Sequence, residues 1–191
     1  MHVDEAIRTR RTHKQYDGTP VSRETVHDLI QAAVWAPNHR HTEPWRFVVA
    51  LGEQRIGLAN AVGEALDSMR KPDVASDVKL ETKKRKFLRR AEQAGAIVVV
   101  TYVTSPENPG LDREDYAATA CAVQNMQLAA TARGLVCQWS TSKVFERDPV
   151  RRFLGQPAGE ELVAALFIGH PVAPLEGRRG KSVDDVTRFL G

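Results

Sequence analysis

Ala96-Ile-Val-Val-Val-Thr-Tyr-Val103 is a near-continuous run of β-branched and aromatic side chains. With no turn residue and no polar alternation, it reads as a buried central strand. Upstream, 78–94 reads as a strongly basic helix and 53–70 as another, broken near Pro72. Downstream, Pro106, Pro109 and Gly110 make a loop. Asp112 with Asp115 then resembles a capping box, opening an alanine-rich helix from Arg113 to Arg133 that ends at Gly134. Farther out, Ser22 caps a helix stopped by Pro37, and Trp45 to Leu51, Leu135 to Thr141 and Leu162 to Gly169 read as strands. Asp148-Pro149 starts a short helix that Gly155 stops, 3–9 opens the chain as a helix, and 183–190 is a last short helix or tail. Helices and strands alternate loosely, as in an α+β or α/β sandwich around one sheet.

The length of 191 residues fits one domain over 1–191, and the hydrophobic and charged fractions are those of an ordinary soluble protein. A net charge of +3 suits an anionic ligand without demanding nucleic acid. Cys121 and Cys137 lack zinc-type spacing and read as reduced thiols. The first residues have no apolar leader pattern, and no run reaches the length of a membrane span, so a cytoplasmic location is expected.

Between the first long helix and the first strand lies Ala36-Pro-Asn-His-Arg-His-Thr-Glu-Pro-Trp45. Its prolines stiffen it, and its imidazoles, guanidinium and indole suit a flat, hydrogen-bonding ligand. Two basic clusters, Arg8 to Lys14 and Gly177 to Lys181, carry the donors that phosphate requires. Each also reads as a solvated helix end or a loose tail, and sequence alone does not bring them together. The Lys79 to Arg90 run reads as a solvated helix face, as a surface steering a phosphorylated cosubstrate, or as a nucleic-acid contact; only Phe87 interrupts it. Trp139, Ser140 and Thr141 end a strand, where they could meet a ring system or simply close a core. The glycine patterns of dinucleotide-binding and P-loop proteins, the nucleophile elbow and the H-E-x-x-H metal motif are all missing.

Four stretches together resemble the FMN-dependent nitroreductase family: Ala6 to Tyr16, Ala32 to Val49, Ala122 to Leu135 and Phe167 to Pro171. Their order and spacing match the family from end to end, and Pro37-Asn38-His39 is most similar to its compact bacterial NAD(P)H nitroreductase subgroup. The resemblance implies an α+β three-layer sandwich with a central, mostly antiparallel sheet flanked by helices. It implies a homodimer with FMN at the subunit interface. It also implies a ping-pong oxidoreductase, in which NAD(P)H reduces the flavin and an electron-poor small molecule reoxidises it.

By position, the resemblance assigns Arg10, Arg11 and Thr12 to the phosphate and ribityl chain, and Lys14 to the N1/O2 edge of the ring. A cation at that edge raises the reduction potential. Trp35, His39 and His41 fall near the cofactor, and Trp139, Ser140 and Thr141 on its far side. Arg178, Arg179 and Lys181 fall in a C-terminal phosphate clamp. The commoner family loop has Asn and Gln where this chain has His41 and Glu43. Glu43 is then either neutralised by Arg40 or Arg46, or points away and pins the loop. Related folds also carry out dehalogenation and flavin fragmentation, which are expected to need lid residues not evident in 60–90. A flavin- or nucleic-acid-binding regulator is the rival from outside enzymology.

Overall fold

The computed structural model describes residues 1–70, 74–177 and 180–190, with only the backbone for 74–76. In chain order the elements are α1 (Val3–Thr9), α2 (Arg23–Ala33), β1 (Trp45–Ala50), α3 (Glu53–Asp67), α4 (Val74–Gln93) and β2 (Ala96–Val103). They continue with α5 (Pro109–Ala132), β3 (Val136–Ser140), α6 (Asp148–Leu154) and β4 (Glu160–Gly169).

The strands form one antiparallel sheet in the order β1-β2-β4-β3. Alternation along β2 divides its side chains between two cores. Ala96, Val98, Val100 and Tyr102 join a core with α2 and α5, while Ile97 and Val99 join one with α3 and α4. The expected central strand is thus central, and its bounds match. Each fully buried valine contributes about 1.5–3 kcal/mol.

Local signals set several boundaries as read. Ser22 Oγ accepts from Thr25 N at 3.1 Å, and Gly155 ends α6 at φ 62°, a conformation that suits a residue without a Cβ. Elsewhere the structure corrects the reading. Helix α5 starts at Pro109, and its cap is Asn108, whose Oδ1 accepts from Leu111 N at 3.2 Å. Asp112 instead ties the preceding loop, accepting from Ser105 N at 2.8 Å, and Asp115 is buried inside the helix packing. Helix α4 begins at Val74, ahead of residue 78, and it packs along α3. The break near Pro72 lies outside the described residues.

Strand β4 carries a bulge. Val100 faces Ala164 while Thr101 faces Leu162, so Val163 is the extra residue. Its carbonyl accepts from Trp139 Nε1 at 3.1 Å, which closes the irregularity.

Gly95 joins α4 to β2 where the chain passes against Thr19 and Val21. A Cβ there would lie 2.6 Å from Thr19 O, 2.9 Å from Val21 N and 2.5 Å from Val21 Cγ2. Two of these atoms are backbone and have little room to retreat. Gly95→Ala should therefore cost about 1–3 kcal/mol, read as a lower denaturant midpoint with an unchanged m-value.

Candidate cofactor site

The segment from Arg10 to Tyr16 docks as a strip beside β3. Thr12 bridges Cys137 in parallel, and His13 N donates to Cys137 O at 3.1 Å. Tyr16 fastens the far end, its hydroxyl donating to His13 O at 2.9 Å and Phe167 O at 3.1 Å. The strip alternates: His13 and Tyr16 are buried, while Thr12 and Lys14 face outward. Burial pushes the Cys137 thiol up to about 12, so it stays a neutral packing group.

Arg11 turns back to close α1. Its Nη1 donates to Arg8 O at 2.6 Å and Arg10 O at 2.8 Å, carbonyls that the helix end leaves free. Its buried Nε has no hydrogen-bond partner among the described residues. A Cβ on Gly177 would collide with this guanidinium, so the C-terminal segment passes directly against the first basic cluster. Arg178 and Arg179, which follow at once, lie outside the described residues. Lys181 is exposed.

Lys14 opens onto a cleft of about 230 Å³ shared with Gln15, Lys86, Arg89, Arg90 and Gln93. Lys86 and Arg90 also line an adjoining cleft of about 270 Å³ with Ser140, Ser142 and Phe87. Two predicted site residues, Lys14 and Ser140, thus face the same wall of α4. Spacing of i and i+4 puts Lys86 and Arg90 on one helix face, a signal present in the sequence. The basic run hid it, because nothing there told this face from the solvated one.

Lys84 and Arg90 in that run also make structural contacts. Lys84 pairs with Asp67 at 2.5 Å and Glu81 at 3.3 Å, and this fixes α4 to α3. Arg90 lies 5.4 Å from the Phe167 ring centroid, and burial lowers its pKa.

On β3 the side chains divide by face. Trp139 packs half-buried against the α2/α5 core with its indole donor committed to Val163, so the ring belongs to the fold. Its backbone, together with Ser140 and exposed Thr141, is the part available to a ligand. Gln138 is buried with Oε1 unpartnered, a second orphaned polar atom near the strip.

Trp35, His39 and His41 sit elsewhere. The loop they flank enters β1, at the opposite edge of the sheet from β3. Three interstrand steps separate those edges, roughly 14 Å. Trp35 is 85% exposed and shares a cleft with Gln31, Val34, Glu43 and Trp45. The loop makes a 3-10 turn, His39–His41, and Arg40, His41 and Glu43 all have positive φ, at 55°, 53° and 43°. Glu43 pins this loop through its backbone. Its N–H donates to Asn38 Oδ1 at 3.0 Å, and its carbonyl accepts from Arg46 Nη1 at 3.0 Å. Its carboxylate forms no ion pair among the described residues.

The sequence profile of the nitroreductase family matches residues 7–170. The chain belongs to the nitroreductase family. It is accordingly an oxidoreductase. The nitroreductase match stops before Arg178, Arg179 and Lys181. Among relatives, the chain is 29% identical over 181 residues to "Putative NAD(P)H nitroreductase YfhC" of Bacillus subtilis, covering 94% of this chain and 89% of that one. It superposes on a nitroreductase-like family protein from Bacillus cereus with a TM-score of 0.84, at 27% identity, over 100% of this chain and 96% of that one. A nitroreductase with bound FMN from Bacteroides fragilis shares the fold at a TM-score of 0.77 and 22% identity, over the full length of both chains.

Burial of His13 against β3 lowers its pKa. The folded nitroreductase then binds fewer protons than the unfolded chain, so stability falls as pH drops below about 6.5 and levels off below the folded pKa. Thermal melts from pH 7.5 to 5 should show this slope, and His13→Gln should flatten it.

Proposed function

We propose that this nitroreductase is a cytoplasmic, FMN-dependent NAD(P)H oxidoreductase that works as a homodimer. The observation that carries the reading is the strip docked on β3. It turns Thr12 and Lys14 outward between the unpartnered Arg11 Nε and the cationic face of α4. An orphaned donor beside cations that form no ion pair among the described residues fits a ligand with a phosphate at one end and a polar heterocycle at the other.

In this reading Arg10, Arg11 and Thr12 hold the phosphate, joined by Arg178, Arg179 and Lys181 from the segment that passes Arg11. When bound, FMN supplies hydride acceptance from NAD(P)H and electron delivery to an electron-poor acceptor such as a nitroaromatic or quinone, in a ping-pong cycle. Lys14 stabilises negative charge at the pyrimidine edge, backed by the field of Lys86 and Arg90. The backbone of Trp139, Ser140 and Thr141 lines the far side, with a hydrogen-bond donor near N5.

The second subunit answers the division of the site between two sheet edges. Lys14 lies by β3, while Trp35, His39 and His41 lie on the loop into β1. A partner's loop brings the missing half to each strip. Exposed Trp35, and Phe189 and Leu190 at the C-terminal end, are large apolar groups of the kind a subunit contact covers. No helix among the described residues is long and apolar enough to cross a membrane, and both cysteines are free. Helix α4 buries Leu80 and Ala91 and is fastened to α3, a core element rather than a nucleic-acid-binding arm.

The purified protein should be yellow, sediment as a dimer and bleach on anaerobic titration with NADPH or NADH. A colourless protein that takes up no added FMN would overturn the proposal. Lys14→Ala should retain FMN but lower its midpoint potential and slow its reduction. Normal potential and reduction in that variant would show that Lys14 does not tune the flavin.

A further inference from the structure

The His39–Glu43 loop holds a conformation that its own residues do not favour. Arg40, His41 and Glu43 are all in the left-handed region, and none is glycine. Each such residue costs about 1–2 kcal/mol. Three within four positions persist only where the surroundings impose them.

The imposing contact comes from α5. Asp115, 2% exposed on that helix, accepts from the Thr42 hydroxyl through Oδ1 at 2.6 Å. Thr42 sits between the left-handed residues, so this bond holds the middle of the strained turn. Thr42 N also donates to His39 O at 3.3 Å, and Asn38 Oδ1 receives Glu43 N at 3.0 Å, which together close the turn on itself. Among the described residues, the Asp115 bond is the hydrogen bond that ties that closed turn to α5. The nearby His39 Nδ1 to Glu114 Oε2 contact is 3.8 Å long and about half exposed at both ends, too weak to share the task.

We propose that Asp115 and Thr42 form a clamp that positions the His39–Glu43 loop for its part in the cofactor site. This rests on the FMN reading above. Asp115 is a positioning residue: it lies inside the layer and acts through Thr42. Without the clamp, the turn relaxes toward ordinary backbone angles, and His39 and His41 lose the orientation that the bound cofactor requires. The apoprotein gives up little fold stability, because the strain it sheds offsets the bond it loses.

The test is FMN affinity of the apoprotein, read by quenching of flavin fluorescence, alongside apoprotein melting. Thr42→Ser keeps the hydroxyl and should bind FMN like the parent. Thr42→Val should bind about tenfold more weakly, the size expected for losing a part-buried hydrogen bond to a carboxylate. Thr42→Val leaves the Asp115 carboxylate buried without its partner, so the double variant Asp115→Leu/Thr42→Val is the control. It removes both polar partners at similar shape and should melt near the parent while still binding FMN weakly. Adding Arg40→Gly to that double variant relieves strain without restoring the clamp, and affinity should stay low. If the double variant binds FMN as tightly as the parent, the clamp has no positioning role. If the parent itself binds no FMN, the proposed function fails instead.

Discussion

Keeping both faces of β2 dry is the constraint on which the rest of this structure depends. Its side chains leave in two directions, and each set finishes a separate core. A strand with no solvated face allows no register slip, since a shift by one residue would exchange the two sets. β1 and β4 are therefore fixed on either side of it, and β3 is fixed on β4. The strip from Arg10 to Tyr16 inherits its position from β3. The position of the strip thus hangs from a ladder that begins at the eight residues of β2.

How much of this the sequence displays depends on how local each cause is. The bounds of β2, the Ser22 cap and the Gly155 stop are decided within a few residues, and all were legible. The start of α5 was not. Asp112 and Asp115 have the spacing of a cap, but Asn108 reaches the first turn sooner, and the two aspartates are drawn off by Ser105 and Thr42. No pattern along the chain announces a partner 73 residues away. The candidate site divides in the same manner. Thr12 and Lys14 stand out in the sequence because they sit in one short segment. Lys86 and Arg90 join them only through the folding of α4 onto the sheet, and Trp139 lost its ring to a bulge that cannot be seen before β4 is paired.

The two halves of the proposed site also differ in how they are held. The strip is held by backbone pairing with β3 and by Tyr16, contacts that change little with side-chain chemistry nearby. The loop into β1 is tied to α5 by the part-buried Thr42–Asp115 bond, against its own backbone preference.

The passage of Gly177 against Arg11 has a consequence for the nascent chain. Arg11 emerges from the ribosome early, yet its neighbour is made 166 residues later. In between, the strip has no settled place, because β3 itself pairs with β4, and β4 follows it in the sequence. Helices α2 and α3 and strands β1 and β2 can associate while synthesis continues. The strip that carries Arg11 cannot. A cluster of arginines therefore waits in the open until the last tenth of the chain arrives, exposed to any polyanion in the translating cell.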